Sequence, residues 1–177
     1  MLRGTSATAW YERGCAAEAT DPATARAAYE RALAGRPDFA DAHNNLGRVL
    51  HALHDDAVTT SAANPGRTND RTADDAAAIA SSPTALLAAA ESHYRLAICG
   101  NPTVALYWFN LGVSVEDQGR VAEAISAYER ALEIDQTLAD AHFNLARLFE
   151  AIGRSSADEL VLRRAVRHLV RYRDLVA

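Results

Sequence analysis

His51, His54 and Asp55 stand three and four residues apart in the stretch HALHDD. On a helix that spacing puts two imidazoles and a carboxylate on one face, the arrangement a zinc-type ion would use. The set needs a further ligand, and Asp70, Asp74 or Asp75 could supply one only if the intervening chain folded back. A solvated helix end is the simpler reading, so no metal and no other cofactor is expected. The two cysteines, Cys15 and Cys99, are too few for a disulfide framework and sit in alanine-rich contexts where a thiol packs as a small apolar group. No motif supplies Cys15 with the base a nucleophile would need. Gly-rich phosphate loops, G-x-S-x-G, H-E-x-x-H and paired cysteines at metal-ligand spacing are all missing, which disfavours an enzyme.

Charge and composition narrow the remaining classes. The net charge of −5 gives the chain as a whole no footprint for nucleic acid, although all 18 of its cationic side chains are arginine. No stretch approaches the length of a membrane span, and MLRGTSATAW has no apolar leader, so a cytoplasmic protein without membrane contact is expected. At 177 residues, with much alanine and only 7% aromatic content, the chain suits one all-α domain of closely packed helices.

Repetition then organises those helices. DAHNNLGRVL from Asp41 returns as DAHFNLARLF from Asp140, and AYERAL at 28–33 returns at 127–132. ALYWFNLGVSV from Ala105 is a further copy of the first of these. Tyr94 lies 34 residues before Tyr128 and 65 after Tyr29, so the period is 34 with about 31 residues inserted once. Trp10, His43, Trp108 and His142 share one place in the repeat, where packing is their expected role, and Gly14, Gly47, Gly112 and Ala146 share another where helices approach closely. The spacing predicts first helices at 6–19, 41–53, 104–118 and 139–152, and second helices at 22–35, 83–99, 121–134 and 158–175. Asp21-Pro22 and Ser82-Pro83 are start signals, and Gly119 and Gly153 read as stops.

A bulky residue, Leu-Gly, a Tyr-x-x-Ala pair and a closing proline at this period resemble the tetratricopeptide repeat family, in a bacterial-type protein; ALYWFNLGVSVEDQGRVAEAISAYERALEID is nearly a consensus unit. The resemblance covers about 1–54 and 83–177. It departs where the first repeat is one residue short, where Gln136 replaces the closing proline, and where extra residues around SSADELVL precede the last helix. It implies a right-handed superhelical solenoid of about four antiparallel helix pairs. The expected repeats are 6–39, 40–104, 105–138 and 139–177 within one domain spanning 1–177, the second interrupted by a flexible insertion at 55–82. TADDAAAIA could form a helical turn inside that insertion, which reads as tolerated at a repeat turn more readily than as a lid.

In such a solenoid the first helices line a concave groove. Tyr11 and Cys15, then Asn44, Arg48 and His51, then Phe109, Val113 and Glu116, then Phe143, Arg147 and Glu150 fall on successive strips of that face. Asn45, Asn110 and Asn144 recur beside them; the resemblance implies that they bond the backbone of an extended ligand, and helix packing is the equal alternative. The groove mixes aromatic residues with both signs of charge, which suits a protein or peptide partner. The basic clamp of the family's chaperone-tail binders would fall on Tyr11, Cys15, Leu106 and Asn110, so that ligand is not expected. The last helix, with Arg163, Arg164, Arg167 and Arg171, reads first as a polar cap on the stack and second as a site for an acidic partner. The expected function is a non-catalytic adaptor, the alternative a regulatory or substrate-positioning subunit for an enzyme or transcription factor, with self-association open through Phe109 and Phe143.

Overall fold

A computed structural model describes residues 6–63 and 82–177, and among these every regular element is helical. The chain forms two compact units, one ending at Asn101 and the next beginning at Pro102. Unit one holds α1 (Ala7–Ala17), α2 (Pro22–Gly35), α3 (Ala40–Ala63) and α4 (Pro83–Gly100). Unit two holds α5 (Ala105–Asp117), α6 (Val121–Ile134), α7 (Ala139–Ser156) and α8 (Glu159–Val176). In each, two helix hairpins stack through the second helix of one and the first helix of the next, α2 on α3 and α6 on α7. None of the described helices is long and apolar enough to cross a membrane.

Local chemistry sets the helix starts. Ser6, Asp21, Ser82 and Asp158 each cap a helix by accepting a backbone N–H, and Pro22 and Pro83 sit at a first position where no donor is needed. The hairpins close on small residues. A Cβ at Gly14, Gly47 or Gly112 would stand 2.5, 2.7 or 2.6 Å from a ring carbon of Tyr29, Tyr94 or Tyr128, so only glycine lets these tyrosines lie against the first helix. Those three rings are the largest fully buried side chains, seated among alanines such as Ala25, Ala32, Ala90, Ala97, Ala124 and Ala131.

The structure differs from the sequence expectation at two helix ends and in the register of the last hairpin. The first helix of the second hairpin runs to Ala63, ten residues beyond 53, so the opening of the insertion extends α3. The rest of the insertion, with its expected flexibility, the turn in TADDAAAIA and Asp70, Asp74 and Asp75, lies outside the described residues. Gly119 does take a left-handed conformation beyond α5, at φ 74°, but Gly153 lies inside α7. Its role is close approach, since a Cβ there would meet Leu162 at 2.8 Å; the left-handed residue after α7 is Ala157, φ 53°. The extra residues before α8 shift the last hairpin by seven positions relative to the 34-residue period. His168 therefore stands where His93 and Ala127 stand, rather than Val161. Seven residues are about two helical turns, so the same face is kept.

Candidate interaction surface

The place shared by Trp10, His43, Trp108 and His142 has a definite task in three of the four repeats. Trp108 Nε1 donates to the Pro102 carbonyl at 3.0 Å, and His43 Nε2 and His142 Nε2 reach the Pro37 and Gln136 carbonyls at 2.9 and 3.2 Å. Each side chain thus fastens the first helix to the carbonyl six residues earlier. A carbonyl only accepts, so both histidines donate from Nε2, and their Nδ1 atoms face the second helix. There His93 Nδ1 meets His43 Nδ1, and His168 Nδ1 meets His142 Nδ1, both at 2.9 Å. Burial first, and the neighbouring imidazole second, push His93 down to about 4; burial, then His142, Arg164 and Arg167, do the same to His168.

A second polar set sits on the first-helix faces and occurs once in each unit. In unit one the Tyr29 hydroxyl donates to Glu18 at 2.9 Å, Arg48 pairs with Glu18 at 3.2 Å, and the Asn45 amide donates to the hydroxyls of Tyr11 and Tyr29 at 3.2 and 3.4 Å. In unit two the Tyr128 hydroxyl donates to Glu116 at 2.9 Å, Arg147 pairs with Glu116, and the Asn144 amide bonds the Tyr128 hydroxyl. Burial is the leading reason that both tyrosines are held well above the usual phenol range, and the adjacent glutamates add to it, so each hydroxyl stays a donor. Tyr11 is pushed up to about 12 by burial and then by Cys15. The glutamates are largely covered, at 21% and 15% side-chain exposure, whereas Arg48 and Arg147 stand half exposed at 50% and 52%. Beside the first set, a cavity of about 420 Å³ is lined by Cys15, Glu18, Pro22, Arg48 and Val49.

These sets locate the residues singled out in the sequence. Asn45 and Asn144 bond to tyrosine hydroxyls within the chain, and Asn110 is half-buried. Asn44 and His51 are buried, at 3% and 9% exposure, instead of lying open on a strip. Asn44 donates to Asn45 at 3.1 Å. Phe109 and Val113 are half-buried, the former against Tyr128, while Phe143 is exposed with its ring near Tyr172. Glu150 pairs with Arg154 at 2.7 Å. His54 Nδ1 lies 2.7 Å from the Pro83 carbonyl, which ties α3 to the start of α4 and commits one nitrogen of the HALHDD set to that bond.

The sequence reading passed over His93 and His168. The signal was present: where the first helix carries tryptophan the second carries Ala28 or Ala127, and where it carries histidine the second carries histidine. Large faces small, and medium faces medium.

The sequence matches two family descriptions, "Tetratricopeptide repeat" over residues 11–58 and "TPR repeat" over 116–153. No curated protein matches it. Among solved structures, one described as the crystal structure of MamA superposes with TM-score 0.71 at 16% identity, covering 98% of this chain and 80% of that one. MamA 41-end from Desulfovibrio magneticus RS-1 gives 0.67 at 16%, covering 97% and 76%. The first TPR of Spaghetti (RPAP3), bound to the HSP90 peptide SRMEEVD, gives 0.63 at 17%, covering 84% and 96%. These identities speak for the fold, and they agree with the Gly–Tyr hairpins, the 34-residue period and the two family matches: the chain belongs to the tetratricopeptide repeat family.

Proposed function

We propose that the protein is a non-catalytic interaction adaptor, and that the first-helix face of each unit takes up a segment of a protein or peptide partner. The observation that carries this reading is the twofold occurrence of one arrangement, a covered glutamate holding a half-exposed arginine, Arg48 in unit one and Arg147 in unit two. The glutamate and the tyrosine hydroxyl satisfy one another inside. The guanidinium keeps donors free for a carboxylate or a backbone carbonyl. Asn45, Phe109, Asn110, Val113, Phe143, Asn144 and Glu150 complete the two faces, with Asn44 and His51 as buried support. A neighbouring fold of the same family is recorded with a peptide bound, which supports a peptide-sized ligand.

The experiment is affinity capture from the source cell with wild type and the Arg48→Glu/Arg147→Glu variant, after circular dichroism shows equal helicity. A partner held by wild type and lost from the variant is the expected result. A partner held equally by both removes the first-helix faces from the binding surface.

A further inference from the structure

The two imidazole pairs share one geometry but differ in the charge around them. His43 and His93 join α3 to α4, His142 and His168 join α7 to α8, and in both the Nδ1 atoms stand 2.9 Å apart. At that distance two protons would repel and so would two lone pairs, so one proton lies between each pair of nitrogens. The first-helix ring is fixed in both by its Nε2 bond to a backbone carbonyl, Pro37 or Gln136. Metal-ligating histidines are commonly oriented by such an outer bond, with the other ring nitrogen turned to the ion.

In unit two the charged neighbours of His168 are Arg164 and Arg167, and Arg164 takes Glu129 of α6 at 2.6 Å. In unit one Ala89 and Ser92 stand where those arginines stand, and Glu30 is the counterpart of Glu129. The charges that bear on His93, besides His43, are those of Glu30 and Arg26 on α2. These two pair at 2.8 Å with side chains 51% and 38% exposed, and an ion pair so open to water contributes little, so Glu30 turns from it at small cost. We propose that His43 and His93 bind a zinc-type divalent cation through their Nδ1 atoms, with Glu30 as the third ligand, and that the His142/His168 pair does not. Tetrahedral zinc with bonds of about 2.0–2.1 Å sets two nitrogens about 3.4 Å apart, so the rings need to part by only about 0.5 Å. The proton between them passes to His93 Nε2, which bonds no described residue, and both Nδ1 lone pairs then face the ion. In unit two the guanidinium groups of Arg164 and Arg167 repel a further positive charge, and Glu129 is already taken.

This site goes beyond the adaptor reading and uses none of the residues proposed for partners. Equilibrium dialysis of the full chain at neutral pH against about 100 μM zinc chloride is expected to show one ion per chain. His93→Gln should abolish that uptake and His168→Gln should leave it unchanged. Glu30→Gln, and Ala89→Arg, which copies the arginine of unit two, should each weaken it about tenfold. Should His93→Gln lose helicity, imidazole nitrogen NMR of the wild type decides: zinc is expected to move the His43 and His93 Nδ1 signals and leave those of His142 and His168 in place. No uptake by the wild type overturns the proposal, as does uptake that survives in a folded His93→Gln variant. So do shifts confined to His51 and His54, or two ions bound with one at each pair.

Discussion

Units one and two place the same four side chains, tyrosine, glutamate, asparagine and arginine, in the same relation, yet they surround them differently. Beside Asn45 stand the Tyr11 hydroxyl and the Cys15 thiol, with Asn45 Nδ2 3.8 Å from the sulfur. In unit two the matching places hold Phe109 and Val113. Unit one therefore presents a polar neighbourhood that opens into a small cavity, and unit two an apolar one flanked by aromatic rings. The shared set is a strut; its neighbours decide what each face offers a ligand. One repeat can in this way hold a constant packing rule while varying the chemistry it shows to a partner.

The largest effect that would sharpen this comparison is common to both units, because each holds one imidazole pair. His93 and His168 stay unprotonated when folded down to about 4, while an unfolded histidine binds its proton near 6.5. Between those values the unfolded chain holds more protons, so stability falls as pH drops from about 6.5 to about 4. Allowing for solvent screening of these half-exposed rings, the loss is about 1–2 kcal/mol for each pair. Urea unfolding across that range would show it, and His93→Gln/His168→Gln should flatten the acid limb.

Next comes an asymmetry between the units. Tyr128→Phe is expected to remove about 2 kcal/mol, since Glu116 loses its buried donor and Asn144 its hydroxyl partner. Tyr29→Phe should lose about 1 kcal/mol, because Asn45 keeps Tyr11. Equal losses in thermal unfolding would break the claim that the neighbours matter. Gly112→Ala is expected to lose about 1 kcal/mol, the strain of a Cβ 2.6 Å from the Tyr128 ring outweighing the gain in helix propensity. Smallest, Ala157→Gly should add about 0.5–1 kcal/mol by relieving a left-handed alanine, and a lowered melting temperature would contradict that.

Much of the architecture is legible in the sequence because it rests on short-range chemistry: a 34-residue period, proline starts and the Gly–Tyr pairing of three of the four hairpins. The course of α3 past position 53 is not, because Val58, Thr59 and Thr60 are weak helix formers and mark no helix end. Ala157 is hidden for a similar reason, since Gly153 looks like the stop and is used for close packing instead. At the site, helical spacing finds the face but not what lies over it, so the burial of Asn44 and His51 emerges only in three dimensions. The pairing of His142 with His168 depends on the seven-residue shift of the last hairpin, which no fixed period reveals.

The central claim is that Arg48 and Arg147 are held by the fold but serve the partner. Its most direct test measures stability and partner affinity together in the Arg48→Ala/Arg147→Ala variant. Half-exposed ion pairs contribute little, so unfolding should stay within about 1 kcal/mol of wild type while the partner binds at least about tenfold more weakly. A variant that folds as well as wild type and binds its partner as tightly would contradict the account.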